Sequence, residues 1–158
     1  MNFNCLRMKK LIFTLALVAG IISAANAQVD GKAIGLRFGA GTEVSYQHPM
    51  GDANRLELDL GYGSWSVAGL TGIYHWVKDL SSVTDGLNWY LGPGLSLGYN
   101  SVWSGLNVGI AGQAGIEYTF DFPLQLSLDY RPIIYVIRPA GSPFGAYDGI
   151  CLSARYKF

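Results

Sequence analysis

Beyond residue 27 the chain alternates apolar and polar side chains with a period of two, through eight segments divided by turn signals. Residues i, i+2 and i+4 share a face only in an extended strand, whereas a helix would scatter both sets around its circumference. The clearest segment sets Leu56, Leu58, Leu60 and Tyr62 against Arg55, Glu57, Asp59 and Gly61. The last, residues 149–158, sets Ile150, Leu152, Ala154, Tyr156 and Phe158 against Cys151, Ser153, Arg155 and Lys157, and ends on an aromatic carboxy terminus.

The other segments follow the same rhythm. Residues 33–40 place Ile34, Leu36 and Phe38 opposite Gly35, Arg37 and Gly39; after Gly41, Val44 and Tyr46 oppose Glu43, Ser45 and Gln47. In residues 70–78 the faces are least distinct, with Leu70, Gly72, Tyr74 and Trp76 against Thr71, Ile73, His75 and Val77. The fifth segment alternates Leu87, Trp89, Leu91, Leu95, Leu97 and Tyr99 with Asn88, Tyr90, Gly92, Gly94, Ser96 and Gly98. Pro93 within it has no N–H, which predicts a bulge or a missing ladder bond. Residues 106–120 set Val108, Ile110, Ala114, Ile116, Tyr118 and Phe120 against Gly109, Ala111, Gln113, Gly115, Glu117 and Thr119. The seventh places Leu126, Leu128 and Tyr130 opposite Gln125, Ser127, Asp129 and Arg131. Eight such strands on short connections predict an all-β, eight-stranded antiparallel up-and-down barrel, because closure leaves no strand edge unpaired.

The amino end reads as an export signal. Arg7, Lys9 and Lys10 precede an apolar core over residues 11–22, and Ala25-Asn26-Ala27 is a small-residue cleavage site. Residues 1–27 are thus expected to be a cleaved signal peptide and residues 28–158 the barrel. Cys5 precedes the apolar core, unlike a lipid-modified cysteine, so the mature part keeps Cys151 alone and no internal disulfide. Three of the 11 basic residues lie in the signal, which leaves 8 against 11 acidic ones and no basic patch for nucleic acid. Beyond the signal no apolar run is long enough for a spanning helix, so a membrane crossing would need strands.

The polar faces decide which side of the barrel is wet. A solvated exterior would be rich in Lys and Glu, yet the mature part has only Lys32, Lys78 and Lys157, all at predicted strand ends. The polar positions instead combine small residues with Arg37, Glu43, Arg55, Glu57, Asp59, Glu117, Asp129, Arg131 and Arg155. Eight strands enclose a space just wide enough for side chains to fill, so these charges are expected to form a structural network inside the barrel. The apolar faces would then meet lipid. Aromatic residues fall into two bands, with Trp76, Trp89, Tyr118, Phe120, Tyr156 and Phe158 near one boundary and Tyr62, Trp65, Tyr99, Trp103 and Tyr135 near the other. Such bands are expected where amphipathic rings sit at headgroup level. An even strand number puts both termini on one side, the periplasm in bacterial barrels.

With the signal, the eight segments and the ending Ser153-Ala154-Arg155-Tyr156-Lys157-Phe158 in place, the chain resembles small eight-stranded bacterial outer-membrane proteins of the OmpX and OmpA-barrel type. The stretches Arg55-Leu56-Glu57-Leu58-Asp59-Leu60-Gly61, Gly115-Ile116-Glu117-Tyr118 and Leu126-Ser127-Leu128-Asp129-Tyr130-Arg131-Pro132 are similar to those of small barrel proteins of the Bacteroides group. The resemblance implies outer-membrane lipid and lipopolysaccharide as surroundings. It also implies folding by the barrel-assembly machinery, with Tyr156 and Phe158 in the assembly signal. The architecture hosts adhesins, structural barrels, narrow pores and lipid-modifying enzymes, so it does not choose among them.

No catalytic constellation stands out. His48 and His75 fall toward the predicted periplasmic ends of their strands, whereas barrel enzymes of the resembled type work at the outer leaflet. A turn role for His48 and an interior hydrogen bond for His75 are expected instead. Cys151 reads as a small interior filler, and the three residues lack metal-ligand spacing. No catalytic residue, cofactor or metal is expected. The longest outer loop is placed at residues 138–148, with a proline- and glycine-rich composition that suits an ordered cap. The leading expectation is a monomeric, closed outer-membrane barrel of structural or surface-interaction role. A narrow pore and a lipid-modifying enzyme remain the alternatives.

Overall fold

Alternation of small or polar with bulky apolar residues produces strands that pair edge to edge until the last meets the first. A computed structural model describes residues 29–62 and 67–158, with side chains except at residues 146–148. The expected signal peptide, residues 1–27, and Trp65 lie outside the described residues. The strands are Ala33–Phe38 (β1), Thr42–Pro49 (β2), Asn54–Tyr62 (β3), Val67–Asp79 (β4), Leu87–Asn100 (β5), Gly105–Thr119 (β6), Leu124–Ile137 (β7) and Gly145–Lys157 (β8). Each pairs antiparallel with its sequence neighbour, and β1 pairs with β8 to close the barrel. At this seam Ala33 faces Lys157 and Phe38 faces Leu152. The ladder runs on past β1, where Lys32 and Phe158 exchange backbone hydrogen bonds of 2.8 and 2.9 Å. Both termini of the described barrel therefore lie at one end, called here the terminal end. No described helix is long and apolar enough to cross a membrane, which says nothing of strands.

The two faces separate as the alternation requires. Arg37, Glu43, Arg55, Glu57, Asp59, Glu117, Asp129, Arg131 and Arg155 are all buried inside. Ile34, Leu36, Leu60, Leu95, Leu97, Ile110, Ile134 and Leu152 are exposed on the outside. Burial is inverted relative to an ordinary core, where charge is outside and apolar volume within.

Strand lengths are uneven. β1 has 6 residues and β6 has 15. At the seam β1 stops opposite Leu152 while β8 continues to Gly145. With a rise of about 3.3 Å per residue and a tilt of about 40°, the wall at β8 stands roughly 15 Å above the β1–β2 turn. The far rim is therefore slanted.

Of the two outcomes expected at Pro93, a bulge or a missing ladder bond, the second is found. Register persists past Pro93, with Ile73 opposite Gly94 and Trp76 opposite Leu91, while pairs opposite Pro93 and Gly92 are missing on the β4 side. The ladder loses bonds there without gaining a bulge. Register shifts lie between β6 and β7 next to Val108, with the extra residue on β7, and between β7 and β8 past Tyr130, with the extra residue on β8, where Gly149 has a φ of 68°. β7 runs through Pro132 to Ile137, and because β8 begins at Gly145 the last connection is residues 138–144, shorter than the expected 138–148. Tyr135 keeps the inward parity of Gln125, Ser127, Asp129 and Arg131, 4 % exposed, and is not in the outer aromatic band.

Candidate functional site

Inward positions at the same level on neighbouring strands bring charges from distant parts of the sequence together. Nearest the terminal end, β3 supplies Arg55, whose guanidinium donates from Nη1 to Glu117 Oε1 on β6 at 2.8 Å. Its Nε donates to His75 Nδ1 on β4 at 3.3 Å, and its Cζ sits 4.7 Å from the centre of the Tyr90 ring on β5. An imidazole nitrogen that accepts from a guanidinium carries no proton, so the ring proton of His75 is on Nε2.

One step along β3, Glu57 is the hub of the next layer. Its Oε2 accepts from Gln47 Nε2 at 2.6 Å and from Arg155 Nη2 at 3.0 Å, and its Oε1 accepts from Gln113 Nε2 at 3.0 Å. Arg155 completes its contacts on Ser45 Oγ at 2.9 Å and Ser127 Oγ at 2.8 Å. Five strands, β2, β3, β6, β7 and β8, meet in this one cluster.

Farther along, Arg131 of β7 donates from Nη1 to Asp59 Oδ2 at 2.6 Å and from Nη2 to both oxygens of Glu43. Arg37 of β1 lies on the other side of Glu43, with Nη1 2.9 Å from Oε2, and reaches Asp129 Oδ1 with Nη2 at 2.7 Å. Tyr90 donates its hydroxyl to Asp129 Oδ2 at 3.2 Å and so links this layer to the first. All four interior arginines thus contact carboxylates. The nine charged residues named from the sequence occupy one interior column, four cations against five anions.

Beyond the charges the interior turns apolar. Ile73, Ala111, Ile133 and Tyr135 pack as one buried cluster. Gly94 and Gly109 permit this, since a Cβ on Gly94 would overlap the Ile73 side chain and one on Gly109 would press on Ile133. At the terminal end Val29 packs on buried Val77 and Tyr90. Past the Ile73 cluster, toward the far rim, Thr71, Ser96, Asn100 and Asn107 are buried as well, so a polar layer follows the apolar one.

Tyr90, Gln47, Gln113, Ser45 and Ser127 belong to the network although charge alone does not single them out. Their signal was parity, because each occupies an inward position of its strand. His48 lies half-buried in β2, its Nδ1 3.3 Å from the Tyr46 hydroxyl and away from this network. Cys151 is fully buried, paired in register with Asp129. Tyr156 and Phe158 are exposed on the outside of the terminal end. Among the described residues no group of three His, Cys, Asp or Glu side chains is placed to hold a metal.

No protein-family model, curated protein or solved structure matches the chain.

Proposed function

We propose that the chain is an integral outer-membrane barrel of the small eight-stranded OmpX and OmpA type, with a closed interior and a structural or surface-interaction role without catalysis. The observation that carries this reading is the inverted burial. Arg131, Arg155, Glu57 and His75 are among the largest fully buried side chains, while Leu95 is 68 % and Ile110 56 % exposed. In water that arrangement would leave a large apolar surface uncovered, a condition soluble monomers avoid. In a bilayer the same surface is solvated by acyl chains, and the charges inside are shielded by the wall.

The reading places both termini in the periplasm and the far rim at the outer surface, in contact with outer-leaflet lipid and lipopolysaccharide. Tyr156 and Phe158 would then be presented to the barrel-assembly machinery as the last strand is inserted. Crossed ion pairs and the apolar seal of Ile73, Ala111, Ile133 and Tyr135 favour a closed barrel over a narrow pore. A monomer fits a wall whose every strand already has two partners.

The test combines location and conductance. Expressed with its signal in a Gram-negative host, the protein is expected in the outer-membrane fraction, with electrophoretic mobility that changes on boiling. Purified into planar bilayers, it is expected to be electrically silent. Recovery in the soluble periplasm overturns the membrane reading, and stable stepwise conductance overturns the closed interior.

A further inference from the structure

At the far rim two connections are locked into one crown. The Asn100 side-chain oxygen accepts from the backbone N–H groups of Val102 and Trp103, both at 3.0 Å, and so sets the β5–β6 turn. In the β7–β8 connection Ser142 Oγ donates to the Pro139 carbonyl at 2.7 Å, and the Arg138 guanidinium donates to the Ser142 carbonyl. The two connections touch where Pro139 lies over Gly105 and Gly141 lies beside the Trp103 indole. Local hydrogen bonds of this kind satisfy the turn backbone without recruiting the outward side chains.

Those side chains are apolar. Val102, Leu106, Ile137 and Phe144 are 59–62 % exposed, and they continue upward the outward stripe of Tyr99, Ile134 and Val136. Along β5, β6 and β7 no charged outward side chain separates stripe from crown. Among the described residues of the far-end turns, 39–41, 101–104 and 138–144, Arg138 is the sole charged one. The turns and the leading segment at the terminal end carry Asp30, Asp52, Asp85 and Asp121 against Lys32 alone. An anionic partner is thus repelled at one end and admitted at the other.

Arg138 is held for such a partner. Its Cζ lies 5.9 Å from the Phe144 ring centre, and its bond to the Ser142 carbonyl uses one of five N–H donors. A planar guanidinium beside an exposed ring matches a phosphate above an alkyl chain, because the fork binds phosphate oxygens while the ring covers methylenes.

We propose that this crown docks an anionic lipid of the outer leaflet, its phosphate on Arg138 and its upper acyl chain against Phe144, Ile137, Leu106 and Val102. The docking rests on the outer-membrane reading above. Two features select lipid over a protein partner. The crown continues the surface that reading assigns to lipid, and its single cation stands among apolar groups with no acidic counterpart in the described turns.

The experiment uses the full barrel in phosphatidylcholine nanodiscs that contain a minority of phosphatidylglycerol, with native mass spectrometry reading the lipid retained on the released protein. The wild-type barrel is expected to retain phosphatidylglycerol over phosphatidylcholine, and Arg138→Gln to lower that preference by about tenfold, the worth of one charge-assisted pair. Phe144→Ser is expected to reduce retention of both lipids. Lys157→Gln, at the opposite rim, is expected to change neither. Each variant is first shown to fold by its heat-dependent mobility. Equal preference in wild type and Arg138→Gln, or equal loss in Lys157→Gln, overturns the docking. Efficient disulfide linkage of two copies through Val102→Cys assigns the crown to a protein contact and overturns it as well. A barrel that never enters the bilayer overturns the membrane reading and the docking together, whereas one that enters without lipid preference overturns the docking alone.

Discussion

Arg131 on β7 spans the interior to Glu43 on β2, its Nη2 2.7 Å from Oε1 and 2.6 Å from Oε2, while its Nη1 holds Asp59 on β3 at 2.6 Å. The three residues are separated by as many as 88 positions in sequence. One guanidinium therefore ties the late strands to the early ones at a level where the side chains are almost wholly buried. Such a tie is strong only while it is complete, since a charge left alone in a dry interior has neither partner nor hydration.

Replacement of Glu43 by Ala strands both Arg37 and Arg131 on one side. The expected loss is about 3–5 kcal/mol, the usual consequence of breaking one partner out of a buried pair. Urea unfolding of the refolded barrel in detergent micelles, followed by tryptophan fluorescence, measures it. A shift under about 1 kcal/mol would show that water reaches the pair and that the interior is not dry.

The Arg55–Glu117 pair offers a test of coupling. Arg55→Leu and Glu117→Leu each leave one buried charge, whereas the double variant leaves none. The double variant is expected to be less destabilised than the sum of the singles by about 1–3 kcal/mol. Strict additivity in the same unfolding assay would mean that the 2.8 Å contact does not govern the stability of this layer.

At the closing seam Gly35 leaves no room for a side chain. A Cβ there would overlap the Ala154 carbonyl oxygen and crowd Arg155 Cα, both backbone atoms that cannot rotate away. Gly35→Ala is expected to prevent closure of β1 on β8, read as loss of the fast-migrating folded band on unboiled gels. Gly112→Ala, where a Cβ meets nothing within 4 Å, is expected to migrate as wild type.

Leu95 faces outward on β5 and is 68 % exposed. If its surroundings are acyl chains near the bilayer midplane, Leu95→Arg costs roughly 2–4 kcal/mol in unfolding from lipid vesicles. In aqueous solution the same change would be neutral and would favour solubility. The sign and size of the effect thus separate lipid from water at that position.

Cys151 is fully buried between Asp129 on β7 and the end of β1, next to Leu152, which faces Phe38. In the chain without residues 1–27 its thiol is expected to resist a maleimide for as long as the barrel is folded, and to react at once in urea. Mass spectrometry of the labelled chain checks this. Fast labelling of the folded form would mean that the interior opens on the labelling timescale.

Strand number, inward and outward faces, and the concentration of charge on the inner face were legible in the chain, because a period of two has one structural reading and each strand carries it locally. The seventh segment shows where that reading stops. Odd-numbered positions of β7 stay inward through Pro132 as far as Tyr135, so the ring that the expected aromatic bands put outside lies inside. The last connection is shorter than expected because β8 already begins at Gly145. Pro93 was read correctly as a lost bond, but whether register survived it depended on the strands on either side.

The sequence by itself determined that these strands form and which side of each holds charge, since alternation is a property of consecutive residues. Only the tertiary structure decided which arginine meets which carboxylate, that Tyr90, Gln47 and Gln113 complete their layers, and that the far rim is slanted. Those outcomes follow from register and tilt around a closed ring, where each strand is positioned by two neighbours. The physical reason is closure. It sets levels that no single segment contains, and it brings Arg37 to Asp129 across a sequence separation of 92.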